Sequence, residues 1–396
     1  MKKSSLFVIG LILTIVIFLS CSKNTDPVVT PSYPAVSDAF GTTINLSNLA
    51  NYAVQPRPAY IQKDNSGGNI ITNAKATLGR VLFYDKNLSV DQSISCGNCH
   101  KQEFAFSDTA LVSNGVLNGV TGRHSMRLIN TRFANESKFF WNERAASLEI
   151  QTTQPIQDHA EMGFSGINGR ANITGLLSRL QGIAYYNELF NFVYGNSTVT
   201  EGRLQECLAQ FIRSIQSFDS KYDAGRSQVA SDNQNFPNFS ALENTGKNLF
   251  IAPPVFNQAG VRTAGGLGCN GCHQAPEFDI DPNTRNNGII GIINAPGLDL
   301  LNTRAPSLRD LTKSDGTVNS PMMHTGALKT LQAVLGHYGT INLTAGNNNL
   351  DPRLRPNGNG QQLQLTANDV NALTAFLQTL AGTAVYSDKK WSSPFQ

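Results

Sequence analysis

Apolar residues recur at helical spacing in several stretches of the chain. In the stretch Glu201 to Tyr222, Leu204, Leu208, Phe211, Ile212, Ile215 and Phe218 return every three or four positions, which predicts an amphipathic helix. Cys207 falls inside that stripe and reads as a buried thiol rather than a ligand. Ala171 to Tyr194 reads as a second helical region. Two shorter helical segments, "LGRVLFYD" at 78–85 and "TGKNLFIA" at 245–252, each run into a loop rich in Gly, Asn or Ser. A last amphipathic helix opens at Thr366, an N-cap ahead of Asn368 and Asp369, and runs to about Ala381-Gly382. No stretch alternates with period two beyond short hairpins, so the fold class is mainly α.

The first 21 residues have a different pattern. Lys2 and Lys3 precede an apolar run from Leu6 to Leu19, and Ser20-Cys21 follows. This order is that of an export signal, and the run is shorter than the ~20 residues a membrane span needs. A cysteine in that place resembles a bacterial lipoprotein site, with Phe18 standing where Leu is usual, so Cys21 is expected to carry a lipid anchor. The Pro- and Ser-rich residues after it predict a flexible tether over 22–40. The polar stretch Asp223 to Ser240 predicts a linker, set at 226–240. Two domains follow, 41–225 and 241–396, and the last helix is a candidate to pack back on the first of them.

Composition narrows the function class. Of 396 residues, 40% are hydrophobic and 15% charged, enough apolar material for sizeable cores. The net charge of +3 falls to +1 without Lys2 and Lys3, so nucleic acid is not an expected partner. Six cysteines are too few for a disulfide scaffold. Four of them belong to two copies of one motif, Cys96-Gly97-Asn98-Cys99-His100 and Cys269-Asn270-Gly271-Cys272-His273. C-x-x-C-H is the attachment signal for haem c. Two thiols reach two vinyl groups on one porphyrin edge, and the adjacent histidine binds the iron from one face. A redox disulfide would need neither histidine, and a four-cysteine zinc site would leave both unexplained. Each domain is therefore expected to be cytochrome c-like and built on its own covalently bound haem c, with His100 and His273 on the two irons.

Beyond these motifs the chain resembles the bacterial dihaem cytochrome c peroxidases, including the methylamine-utilisation dihaem oxidase branch. The segments that carry the resemblance are "LGRVLFYDKNLS", "ISCGNCHKQEFAFSD", "GRHSMRLIN", "FFWNERAASLEIQTTQPIQDHAEMG", "GCNGCH", "TRAPSLRDLT" and "PMMHTGALKTLQAVLGHYG". The resemblance implies an oxidoreductase that reduces hydrogen peroxide at the N-terminal haem. It makes Glu161 the distal acid, Gln151 a second residue of that pocket and Trp141 the residue between the haems. A carboxylate there can take the proton from the near oxygen of peroxide and return it to the leaving oxygen. Electrons would enter at the C-terminal haem from a small cytochrome c or cupredoxin, in the periplasm. The family's habit of dimerising implies a homodimer.

The chain departs from the family pattern in three places. Relatives that need reductive activation carry a capping histidine in the loop that here reads "TALVSNGVLNGVTGR", which has none. The nearest histidine is His124, so an open or water-ligated peroxidatic iron is expected in the oxidised state, with His124 as a substitute cap the alternative. On the C-terminal haem the residue aligned with the usual Met is Tyr338, as in the oxidase branch; His337, Met322 and Met323 are the alternatives. The family's calcium would fall at His124, Asn319 and Pro321, the last through its carbonyl, and an imidazole replaces an amide oxygen at the first. His159, two residues before Glu161, reads as a surface residue or a proton relay. The oxidase branch implies a second possible reaction, in which peroxide modifies a partner protein or small substrate. A dihaem carrier with no chemistry of its own is the third.

Overall fold

The computed structural model describes residues 32–293 and 295–395. The export signal, Cys21 and the first part of the tether lie outside the described residues. The second part is ordered. Pro34–Phe40 forms α1, with Pro34 at its first turn. Its Val36 and Phe40 are buried, and the Glu188 carboxylate accepts from the N–H groups of Ala35 and Val36. The predicted tether is too long by this helix, because two apolar residues one turn apart give it a face to bury.

The first lobe continues with α2 (Asn73–Tyr84), α3 (Cys96–Cys99), α4 (Leu148–Gln157), α5 (Ile173–Gln181), α6 (Ala184–Tyr194) and α7 (Glu201–Ser214). Thr72 caps α2 by accepting from Lys75 N–H at 3.2 Å. The stripe predicted on α7 is buried, and Cys207 lies in it with its sulfur 3.3 Å from the Tyr194 hydroxyl. The helix predicted over 171–194 is two helices, broken where Gly182 caps α5. The helix predicted to reach Tyr222 stops at Ser214. Asn130 takes its next backbone groups: its N–H donates to the Ile215 carbonyl at 2.9 Å, and its side chain pairs with both backbone groups of Ser217. The chain then re-enters a helix at α8 (Lys221–Arg226), capped by Ser220.

The second lobe contains α9 (Ala241–Ile251), the hairpins β1–β2 (Pro254–Phe256, Arg262–Gly265) and β3–β4 (His273–Gln274, Asp279–Ile280), α10 (Leu331–Gly339) and α11 (Ala367–Gln378). Thr366 caps α11, which ends at Gln378 because the Thr379 hydroxyl donates to the Phe376 carbonyl at 2.6 Å. The core is aromatic: Tyr222, Phe236, Phe239, Phe250, Phe278 and Phe376 pack together. Phe236 and Phe239 belong to the predicted linker, which is therefore packed; apolar rings at these two places have a core to enter.

The two short repeated segments do the same work in each lobe. Gly79 of "LGRVLFYD" lets α2 press on α7, where an added Cβ would sit 2.0 Å from the Cys207 carbonyl oxygen. Gly246 of "TGKNLFIA" lets α9 press on α11, where a Cβ would sit 1.9 Å from the Ala372 carbonyl oxygen.

The last helix packs on α9, not on the first lobe. The tail after it makes the return. Val385 and Trp391 join the first core, Arg80 Nε donates to the Ser392 carbonyl, and the Tyr52 and Tyr84 hydroxyls donate to the carbonyls of Lys390 and Trp391. Among the described residues no helix is long and apolar enough to cross a membrane.

Candidate active site

A cavity of about 440 Å³ opens in the first lobe, and Cys96, Cys99 and His100 line it. α3 carries the two thiols. Its start is held by the Asn98 side chain, which accepts from Ser95 N–H at 2.8 Å. The loop after it folds back, with Phe106 N–H donating to the Lys101 carbonyl at 2.8 Å. That turn sets the Phe106 carbonyl against His100, whose Nδ1 donates to it at 3.1 Å and to the Met126 carbonyl at 3.0 Å. An imidazole anchored through Nδ1 keeps Nε2 for a metal. Burial draws its pKa down, so the ring is held neutral, the form that binds iron. Neither cysteine is in a disulfide. Two free thiols, an oriented neutral imidazole and a cavity of this volume fit a covalently held haem.

Glu161 and Gln151 line the same cavity. Gln151 comes from α4. Glu161 follows the end of that helix, where the Asp158 carboxylate accepts from the N–H groups of Ala160 at 2.8 Å and Glu161 at 3.0 Å. The Glu161 carbonyl accepts from Val116 N–H at 2.9 Å. The loop that would have carried a capping histidine is thereby pinned under the acid. Gly115 is required there, since a Cβ would lie 1.8 Å from the Ala160 carbonyl oxygen. Burial, helped by the Asp158 charge and opposed by Arg144, pushes the Glu161 carboxyl up to about 7. His159 does not line the cavity; its Nδ1 is 2.8 Å from the Ser165 hydroxyl.

A second cavity of about 620 Å³ is lined by Cys269, Cys272 and His273. His273 sits in β3 opposite Ile280 of β4. Its Nδ1 is buried without a hydrogen-bond partner, and burial pulls its pKa down to about 4. Two free thiols, a neutral imidazole and a cavity of this volume fit a second haem, although this imidazole lacks the Nδ1 anchor that His100 has. Tyr338, Met322 and Met323 line the cavity, while His337 does not. The Asn287 side chain donates to the Tyr338 hydroxyl and to the Met323 sulfur, each at 3.2 Å. His337 is turned to the backbone, with Nε2 2.9 Å from the Asn287 carbonyl. Burial raises the Tyr338 hydroxyl well above its ordinary pKa.

One wall belongs to both cavities. Trp141, His124, Met126, Arg127 and Arg304 line each of them. The sequence pattern assigns roles to Trp141 and His124 but none to the two arginines, although Arg127 lies in "GRHSMRLIN" and Arg304 in "TRAPSLRDLT". Asp158 was missed as well, although an Asp three residues before Glu161 is a turn-and-cap signal.

The position expected for calcium fits that ion poorly. His124 is buried, with Nδ1 2.9 Å from the Ala110 carbonyl and Nε2 3.5 Å from the Ser107 hydroxyl, and it offers no oxygen. The Asn319 side chain donates to the Asp310 carbonyl and the Tyr386 hydroxyl, leaving its own oxygen buried and unpartnered. Pro321 lines the second cavity. Calcium takes six to eight oxygens, from carboxylates, carbonyls and water; these residues supply the Asn319 side-chain oxygen and the Pro321 carbonyl, and no carboxylate.

Residues 73–230 match the family described as di-haem cytochrome c peroxidase. The chain is 27% identical to the methylamine utilization protein MauG of Methylophilus methylotrophus, over 87% of this chain and 94% of that protein. It is 26% identical to the cytochrome c551 peroxidase of Nitrosomonas europaea, over 78% of this chain and 80% of that one. A solved structure of a MauG-like protein associated with microbial copper homeostasis superposes with a TM-score of 0.66 at 25% identity, covering 86% of this chain and 99% of the other. The likenesses to the MauG protein and the MauG-like structure span both lobes, and each lobe presents a histidine and two free thiols to its own cavity: the chain is similar to dihaem peroxidases and MauG proteins over most of its length, with the di-haem cytochrome c peroxidase match itself at residues 73–230.

Proposed function

We propose that this protein is a dihaem c-type peroxidase that reduces hydrogen peroxide to water, taking two electrons from a small periplasmic cytochrome c or cupredoxin. The observation that carries the reading is Glu161: a half-buried carboxyl in the first cavity, pushed up to about 7 by desolvation. Two haem c groups, held by Cys96, Cys99 and His100 and by Cys269, Cys272 and His273, supply redox-active iron when bound.

The chain's own residues do the rest. Ionised Glu161 would accept one proton of peroxide and return it to the leaving oxygen, which departs as the first water; two protons from solvent and the two electrons complete the second. Gln151, on the same wall, orients the peroxide by hydrogen bonding. Trp141 stands in the wall between the lobes, on the path electrons take from the second cavity to the first. The loop pinned under Glu161 carries no histidine, so it would offer no cap to a haem held by His100, and prior reduction would not be needed. Calcium does not enter the reading, because the side chains do not fit it. Export and a lipid anchor at Cys21 would place the enzyme at a periplasmic membrane surface; a homodimer remains an inference from the family.

One observation favours a second reading, an oxidase of the same architecture that uses peroxide to modify a partner protein or small substrate. Tyr338 faces the second cavity, and a phenolate ligand there would stabilise ferric iron more than a thioether does. The test is the visible and electron paramagnetic resonance spectrum of the oxidised holoprotein, before and after peroxide. One high-spin and one low-spin haem with fast peroxide reaction is the expected result. Two low-spin haems, with no reaction even after half-reduction, would leave only an electron carrier. Peroxide turnover that does not consume a reduced cytochrome would favour the oxidase.

A further inference from the structure

The wall between the cavities holds two arginines that touch no carboxylate among the described residues; the negative charges that act on them most, Asp310 on Arg127 and Glu136 on Arg304, do so only at a distance. Arg127 and Arg304 each face both cavities. Both are partly buried, and desolvation lowers both pKa values, that of Arg127 to about 10. Arg127 donates to neutral oxygens only: Nη1 to the Ser320 hydroxyl at 3.3 Å and Nη2 to the Ser307 carbonyl at 3.2 Å. Its Nε is buried and has no partner. Arg304 donates to the Lys138 carbonyl and lies 4.7 Å over the Phe139 ring. Among the described residues neither guanidinium forms an ion pair.

The pairing of arginines varies in this chain: among the described residues buried Arg80 donates only to the Ser392 and Thr43 carbonyls, whereas others have carboxylate partners. Arg309 is held by both oxygens of Asp223 at 2.8 and 2.9 Å, and Arg353 pairs with Asp281 and Asp351. A buried charge without a partner is strongly unfavourable. Two partly buried charges without one, on a wall shared by two ligand cavities, therefore point to anions that arrive with the ligands.

We propose that Arg127 and Arg304 form a carboxylate clamp that binds the propionate groups of both haems where the two cavities meet. The proposal rests on the two-haem reading above. Haem c has its thioether links on one edge and two carboxylates on another. Cys96 and Cys99 line only the first cavity and Cys269 and Cys272 only the second, whereas the arginines are common to both. The planar guanidinium fork matches a carboxylate and can bind it through two parallel hydrogen bonds. Fixed positive charge beside both groups also disfavours the ferric state and raises both reduction potentials. A dissolved anion would suit the same chemistry, and the test separates the two sources.

The experiment uses the holoprotein, with Arg127→Gln, Arg304→Gln and the charge-conserving Arg127→Lys. The haem count per chain comes first: fewer than two in the unaltered protein defeats the two-haem reading, whatever the arginines do. With two haems attached, resonance Raman reads the propionate bending bands and redox titration reads both potentials. The clamp predicts shifted bands and lowered potentials in each Gln variant, with Arg127→Lys keeping most of the potential but not the band position, since an ammonium lacks the fork. Should Arg127→Gln not accumulate, Arg304→Gln and Arg127→Lys carry the same band test. Bands at their original positions in all variants would overturn the proposal. If acetate then perturbs the haem spectrum of the unaltered protein and not of the Gln variants, the arginines serve a dissolved anion instead.

Discussion

The indole Nε1 of Trp141 donates to the backbone carbonyl of His124 at 2.7 Å. The His124 N–H in turn donates to the His324 carbonyl at 2.8 Å, and the Trp141 ring stands edge-on to His324 with centroids 6.3 Å apart. An aromatic ring in the wall of both cavities is thus held by backbone of both lobes. Replacing Trp141 by Phe removes the hydrogen bond and leaves a ring. The expected cost is about 1 kcal/mol of stability, read by thermal melting. Transfer of electrons from the second haem to the first should slow, read by stopped-flow oxidation of the half-reduced holoprotein. An unchanged transfer rate would remove Trp141 from the path.

Glu161 sets the pH dependence. Its carboxyl titrates near 7, and the ionised form is the proton acceptor. The rate of reaction with peroxide should therefore rise as pH increases through about 7 and level off above it. Glu161→Gln keeps the shape and removes the base. It should lower the rate by about 10²–10⁴-fold and abolish that pH step, as measured by single-turnover kinetics. The same shift has a stability consequence. The folded pKa lies above the ordinary carboxylate value of 4.5, so the native state holds this proton longer than the unfolded state. Its contribution to stability declines as pH rises from about 4.5 to about 7, and Glu161→Gln should flatten that part of the curve.

The second cavity makes a distinction between neighbours. Tyr338 faces it and His337 does not. Tyr338→Met should raise the reduction potential of the second haem and change its low-spin electron paramagnetic resonance signal. His337→Ala should leave both unchanged. The opposite pattern would move the iron ligand to His337.

Gly79 and Gly246 should be intolerant of even one methyl group. Alanine at either position sets a Cβ about 2 Å from a carbonyl oxygen of the facing helix. Overpacking typically costs about 1–3 kcal/mol, and contact with backbone rather than a side chain places these cases at or above that range. Thermal unfolding of each variant measures it, and a change below about 0.5 kcal/mol would show that the helices can separate freely.

Much of this protein was legible in its sequence because the chemistry there is local. C-x-x-C-H must be contiguous for two thiols and an imidazole to reach one porphyrin, so both haem sites could be read off directly. The α7 stripe and the Thr366 cap were equally visible, since spacing and capping act within a few residues. What the pattern missed are contacts over long separations. Ile215 and Phe218 continue a helical stripe, yet Asn130 takes the backbone groups that the helix would need. Phe236 and Phe239 sit in a polar stretch that looks like a linker until an aromatic core is placed beside it.

The site divides along the same line. Residue type and spacing alone established the two attachment motifs, the thiol in the α7 stripe and the mainly helical class. Only the folded chain brought Glu161, Gln151 and His100 to one cavity, turned Tyr338 inward and His337 away, and set Arg127 and Arg304 on a wall facing both cavities. Burial and distance decide whether a carboxyl titrates near 7 and whether a guanidinium has a partner. Both quantities depend on residues far apart in sequence.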